Sequence, residues 1–490
     1  VYMHGSIIYN VKGYPSRVPF HPDRVYPEFS NNPHLEISDS PNLVYDSVRR
    51  LFLENYPPKD DEDLTYWNPL RILVPEGGVV TIKPNMVRHW NEKEDSDIFS
   101  VITHWSIVRV VIDYALLAVG PNGKVYVGDA PHWDCDFSKL ETILNIEEFR
   151  KFYDSYASGQ VHFVDFRPEW FEASGVVNTK KGLKLQGDPN GYYLVDLGKD
   201  SMFNDSSLDA KLFYGSGYDN KDTIHAHSEG RHQYLIAGTP IVCDLFINIP
   251  KLKTHHLLGL TVAMKNLVGI NGNKNYLPHF RLGFKEEGGD QYPKKTPSLL
   301  LRYYVLRYLL PLLAKSYLLM KFWGILLGLV HKSGGKNPYA GGAWHGNDTV
   351  WRMTLDLNRC LLFTDKKGNL NPMTSRKYIN IVDGVISGEG EGPMCVSEKY
   401  TNLLIHTHNP LVADAIAAQL MGYDLRHMKL LVEGVKKHRF DLLPDIDDLS
   451  SIPIRILKAQ DPEVKTKNTL LIKELESLSF KKPEGWKNEK

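Results

Sequence analysis

The spacing of apolar and polar residues along the chain changes period several times, and each change marks an element. In GGVVTIKPNMV (77–87) a β-branched run ends in Lys-Pro-Asn, as a buried strand ending in a loop does. HWSIVRVVIDYALLAVG (104–120) predicts a helix that closes on Gly120. KVYVGDAP (124–131) is a second strand pattern, ending in Gly-Asp, and a helix is expected near 139–158. GQVHFVDF (159–166), IVCDLFINIP (241–250) and KYINIVDGVI (377–386) add strands. NLLIHTHNP (402–410) followed by LVADAIAAQLMG (411–422) reads as a further strand and helix. Strand, helix, strand at these lengths is a βαβ unit, and its repetition predicts an α/β fold with a largely parallel sheet flanked by helices.

Other stretches break this alternation. Residues 1–75 are rich in Pro, Asn and Tyr and predict an N-terminal extended region with one helix at 44–56. The α/β core then spans 76–440, with an irregular, antiparallel insertion at about 167–237 and an apolar helical insertion at about 296–340. Residues 441–490 read as a charged C-terminal tail. Within the second insertion, 299–330 is the most apolar stretch of the chain, yet Arg302, Arg307, Pro311, Lys315 and Lys321 interrupt it. A spanning helix wants about 20 residues nearly free of charge. The open readings are a pair of buried helices, a cationic helix lying on a membrane surface, and docking onto a partner subunit.

Composition narrows the partners. The 490 residues carry a formal net charge of +0, which gives no electrostatic case for nucleic acid, so any anion must be held by a local cluster. Cys135, Cys243, Cys360 and Cys395 are far apart and form no CxxC pair, so there is no ferredoxin-type cysteine motif. Such thiols fit a reducing compartment, and a cytoplasmic protein is expected, with peripheral membrane association through 299–330 as the alternative.

The candidate chemistry is densest in NIPKLKTHHLLGLTVAMKNLVGIN (248–271). A strand exit there carries Lys251, Lys253, Thr254, His255 and His256, and Lys265 and Asn266 follow in an apolar run. Strand C-termini of open α/β sheets are where ligands bind, and lysines there hold phosphate or carboxylate as point charges. A lysine in apolar surroundings is desolvated, which lowers its pKa and suits it to covalent or base chemistry. Lys265 and His255 are therefore the first candidates for covalent or acid–base roles, against the plainer reading of a snorkelling lysine and helix-capping histidines. Lys83 and Asn85 end the first strand and Asp129 the second, where Asp129 is either part of the same site or a cap.

A second group lies in INIVDGVISGEGEGPM (379–394), where Asp383 ends a strand and Glu389 and Glu391 alternate with glycines. Glycines admit close backbone approach to a ligand, and carboxylates suit a hard divalent cation. A solvated hairpin is the alternative. Asp414, early in the helix after NLLIHTHNP, either joins that metal-binding edge or matches the helix dipole. In GAWHGNDTVWRMTLDLNR (342–359), His345 and Arg352 either complete an anion site at a helix N-terminus or leave Arg352 to pair with Asp356. HAHSEGRH (225–232) reads as a polar surface loop.

The succession VTIKPNMV, KVYVGDAP, DLFINIPKLKTHHLLGLTVAMKNLVGI, INIVDGVISGEGEGPM and NPLVADAIAAQLMG resembles the family known as domain of unknown function 362, over about residues 77–435. Some of its members carry ferredoxin-type cysteine motifs, a pattern from which this chain departs. A second, weaker resemblance is to lactate racemase and its relatives. His255, Gly259 and Lys265 follow that spacing and His279 lies further on, whereas Ala263-Met264 replaces a Gly-Gly pair. That resemblance implies a nickel-pincer nucleotide on Lys265 and adds His279 to the candidates.

Together these readings expect an enzyme for an anionic small molecule at a Lys/His-rich site, of unstated reaction, with a divalent metal as candidate cofactor. A redox or cofactor-carrying protein and a non-catalytic, membrane-associated binding protein are the alternatives.

Overall fold

The computed structural model describes all residues except 1–4, 32–35, 60–62, 171–182, 216–219, 305–306, 309–339, 460–467 and 488–490. Its backbone is organised by one 11-stranded sheet. In chain order the strands are β1 (Gly5–Tyr9), β2 (Val79–Pro84), β3 (Lys124–Asp129), β4 (Val161–Asp165), β5 (Leu245–Ile249), β6 (Lys251–His255), β7 (Gly259–Thr261), β8 (Lys377–Glu391), β9 (Cys395–Thr407), β10 (Pro453–Lys458) and β11 (Asn468–Leu471). The spatial order is β11-β10-β1-β9-β8-β5-β2-β3-β4, with β6 pairing both β7 and β8. From β8 to β4 every neighbour is parallel. Antiparallel β9 separates this block from β1.

Helices cover both faces, which is why the strand sequences are apolar throughout rather than alternating. On β5, Ile247 and Ile249 pack into a core shared with α1 (Leu43–Asn55) and α2 (Trp105–Val119). Phe246, just before Ile247, points into the opposite core, under α6 (Val350–Phe363) and α7 (Pro410–Met421). The helix expected at 139–158 is two, α3 (Phe137–Leu144) and α4 (Ile146–Asp154), because Asn145 between them adopts a left-handed conformation with φ 54°.

Three differences from the sequence reading bear on the site. First, KLKTH is not an exit loop. After Pro250 the chain resumes as β6 and runs along the second half of the long strand β8, with Lys251 opposite Asp383 and Lys253 opposite Gly388. Second, the N-terminal segment contributes β1 to the main sheet, between β9 and β10. Third, the charged C-terminal stretch supplies β10 and β11, and its end packs beside the site, where the Trp486 indole N–H donates to the His256 carbonyl at 2.9 Å.

The expected antiparallel insertion appears as short pairs, Tyr192–Asp196 with Gln233–Ala237 and Glu169–Trp170 with Leu183–Lys184. Within it His227 and His232 are buried rather than on a polar surface loop. Of the apolar 299–330 stretch, the helix Pro297–Tyr304 is described and most of the remainder lies outside the described residues. Among the described residues no helix is long and apolar enough to cross a membrane.

Candidate functional site

The parallel strands β2 and β3 end side by side, and their last polar residues meet. Lys83 Nζ lies 2.9 Å from Asp129 Oδ1, both groups essentially excluded from solvent. The second carboxylate oxygen of Asp129 accepts the Met86 N–H at 2.7 Å. Gly269 makes this pair possible, since a Cβ there would stand 1.8 Å from Asp129 Oδ1 and 2.7 Å from Lys83 Nζ. Asn85 Oδ1 accepts the Val87 N–H and the Asn85 N–H donates to Thr103 Oγ1, which shapes the turn after β2.

Beyond this edge lies a cavity of about 240 Å³. Its walls carry the amines of Lys253, Lys265 and Lys274 and the imidazoles of His132, His255, His256 and His279. Among the described residues of the lining, Asp129, already paired, is the single carboxylate. The tip of the β8–β9 hairpin, Pro393 and Met394, closes one side. The KLKTH and GEGEGP segments are therefore neighbours, through the β6–β8 pairing.

Each cationic group has a distinct setting. Lys253 Nζ donates to the Val101 carbonyl at 2.6 Å, and burial, with Lys251 nearby, pushes its amine well below the usual range. Lys274 donates to the carbonyls of Val268 and Asn271, and burial brings it down to about 7. Lys265 sits on the single-turn helix α5 (Ala263–Asn266), between β7 and the loop to His279. Burial alone brings it down to about 7, and its amine contacts His279 Nε2 at 3.4 Å. His279 Nδ1 is 2.8 Å from the Leu277 carbonyl, so the proton is on Nδ1 and Nε2 is the acceptor facing Lys265. His255 Nδ1 accepts the Leu257 N–H, which leaves its own proton on Nε2. Burial first and the Lys265 charge second keep both rings neutral, far below the ordinary imidazole range. His256 is held at about 4 for the same two reasons.

Two residues that sequence reasoning passed over belong here. His132 follows Asp129 in DAPHWD, and its Nδ1 is 2.6 Å from Asp134 Oδ1, which puts the acceptor lone pair on Nε2. Burial outweighs Asp134 and lowers its pKa, so the ring is neutral. Lys274 follows the KLKTH block within NGNKNY. Both were within reach of the sequence, since one follows a strand C-terminus by three residues and the other extends the cationic run. Thr261, at the end of β7, also lines the cavity, and its buried hydroxyl has no hydrogen-bond partner.

Other candidates sit elsewhere. Lys251 does not line the cavity; its amine is 2.6 Å from Asp383 Oδ2, with both side chains fully buried. Asp383 is further engaged by the Tyr14 hydroxyl and the His104 N–H. Thr254 donates to the Gly390 carbonyl, whereas Asn266 does line the cavity and its amide donates to Asn248 Oδ1 at 2.7 Å. The four carboxylates expected to form a metal edge are not brought together. Glu389 accepts from the Lys481 N–H and Glu391 from the Glu484 N–H, so both fasten the C-terminal segment. Asp414 is buried across the core, accepts the Met264 N–H at the start of α5, and is pushed up to about 8 by burial. Among the described residues no group of three or more His, Cys, Asp or Glu side chains is placed to hold a metal ion.

Two of the three glycines of GEGEGP, Gly388 and Gly392, serve close backbone packing. A Cβ on Gly388 would meet Ser100 O at 2.6 Å, and one on Gly392 would meet Thr254 O at 1.9 Å. His345 contacts the Gly485 carbonyl, and Arg352 pairs with Asp348 and Asp205. Neither lines the cavity, and Arg352 does not pair with Asp356, which instead accepts from Ser201, Met202 and Tyr234.

The four cysteines are free and isolated, three of them buried, so the residues present do not fit an iron–sulfur cluster. No curated protein and no solved structure matches the chain, and the lactate racemase resemblance rests on His255, Gly259, Lys265 and His279 alone. The matched family region begins after Asp196 and ends within α7, so it contains Lys253, His255, Lys265, Lys274 and His279 but not Lys83, Asp129 or His132. Residues 197–419 match the family model described as Domain of unknown function (DUF362).

Proposed function

We propose that this protein is an enzyme acting on a small anionic molecule, phosphate- or carboxylate-bearing, held in the Lys/His cavity at the carboxyl edge of the parallel sheet. One observation carries this reading: among the described residues three lysines and four histidines line the cavity, while the one carboxylate there is neutralised by Lys83. Burial depresses the amines when nothing negative faces them, and an anion would restore their charge. Lys265 and the neutral rings of His255, His279 and His132 then supply an amine and imidazoles for covalent or proton-transfer steps near neutral pH.

The test is a calorimetric titration of the full chain with inorganic phosphate and with malonate, beside the Lys253→Met and Lys274→Met variants. Saturable binding that weakens tenfold or more in either variant and falls with added salt supports the reading. No binding of either anion at millimolar concentration sinks it.

A further inference from the structure

Among the lysines in and behind the cavity, Lys265 is set apart by what it lacks. Lys83 is paired with Asp129 and Lys251 with Asp383, and neither amine is available for attack. Lys253 and Lys274 give their protons to backbone carbonyls. The Lys265 amine has a nitrogen as its contact, His279 Nε2 at 3.4 Å, and among the described residues no carboxylate faces it. Its side chain is buried yet opens onto the cavity.

The surroundings suit addition to a carbonyl. His279 Nε2 is fixed as an acceptor by the Nδ1 contact to Leu277, so it can take a proton from the attacking nitrogen. The Thr261 hydroxyl, buried and without a partner, is a donor for a carbonyl oxygen. Lys253 and Lys274 supply positive charge for a carboxylate or phosphate on the same molecule. The volume, about 240 Å³, suits a molecule of a few carbons plus its anionic group.

We propose that Lys265 forms an imine with the carbonyl carbon of a small 2-oxo acid, or of an aldehyde bearing a carboxylate or phosphate. This rests on the anion-site reading above. In the first step the Nζ–C bond forms, the carbonyl π pair moves onto oxygen, and the nitrogen proton passes to His279 and on to that oxygen. In the second the remaining nitrogen proton passes through His279 to the carbinolamine oxygen, which leaves as water with the C–O bond pair while the nitrogen lone pair forms the C=N bond, giving the imine. Hydrolysis reverses both steps, and no oxidant or reductant is consumed. An imine so formed is an electron sink for the bond adjacent to the former carbonyl, which makes carbon–carbon cleavage, condensation or decarboxylation the accessible chemistry.

The experiment incubates the full chain at pH 7 with glyoxylate or pyruvate and cyanoborohydride, reads intact mass, and maps the adduct by peptide digestion. With its amine at about 7, half of Lys265 is free base at that pH, against about one part in 3,000 of an ordinary lysine. The expected result is one adduct per chain, on Lys265, formed at least 100-fold faster than on any other lysine. Inorganic phosphate should suppress it, and acetone, which lacks the anion, should not replace the oxo acids. Lys265→Arg should abolish it, and should that variant fail to fold, the site mapping on the unsubstituted chain still decides. Adducts scattered over surface lysines, with phosphate still binding by calorimetry, overturn the imine but leave the anion site. Loss of both overturns the two together.

Discussion

Replacing Lys265 by methionine keeps an unbranched apolar stem that ends where the amine began, and stability should then depend on pH in a defined way. The amine is at about 7 in the folded protein, against 10.5 for an ordinary lysine, because burial penalises its charge. Between those two values the unfolded chain binds more protons than the folded one, so stability of the native protein rises with pH across this window. Below pH 7 the folded protein bears nearly the whole cost of a buried ammonium, about 5 kcal/mol from a shift of this size. Working the linkage through, the cost is about 4 kcal/mol at pH 7 and about 2 kcal/mol at pH 9. Lys265→Met is therefore expected to be more stable than the parent at pH 7, by an amount that shrinks by about 2 kcal/mol on going to pH 9. Lys274, also at about 7, titrates in both proteins; the Lys265 charge is the smallest cause of its depression, so most of its contribution drops out of the difference. The cavity histidines titrate below this window and do not contribute. Equilibrium urea unfolding of both proteins at pH 7, 8 and 9 measures the gap. A gap constant across that range would refute the reasoning, because it would mean that Lys265 keeps its proton throughout.

Further outcomes follow from the same contacts. Asp383→Asn leaves Lys251 as an unpaired buried cation and should cost about 3–5 kcal/mol, whereas Lys251→Met with Asp383→Leu should recover much of it; denaturant midpoints of the three variants compare them. Gly269→Ala drives a methyl into the Lys83–Asp129 pair and should lower stability by about 1–3 kcal/mol while weakening phosphate binding, read by thermal unfolding and calorimetry. Anion binding should draw protons from the buffer, because a bound anion raises the amines of Lys265 and Lys274 from about 7. Titrations at pH 8 in buffers of different ionisation heat should show uptake of roughly one to two protons, vanishing below pH 6.

The sequence by itself determined the α/β class, because uninterrupted apolar strands alternating with helical periods leave only a covered, largely parallel sheet. It also marked the strand ends at Lys83 and Asp129 and the run from Lys253 to Lys265 as one chemistry-bearing edge. Three matters were decided only by tertiary structure. Whether a lysine is a ligand group or a structural cation depends on what stands opposite, and it was the pairing of β6 with β8 that gave Lys251 to Asp383 and left Lys265 without a carboxylate. The glycines of GEGEGP read as a ligand cradle in isolation, but the backbone approaching them belongs to Ser100 and Thr254, more than a hundred residues away. The polar C-terminal segment became part of the site's frame because Glu389, Glu391 and the His256 carbonyl offered partners that no local pattern records. Periodicity reports which face of an element is buried; the identity of the group it is buried against is set by contacts distant in sequence, and it is those contacts that fix charge.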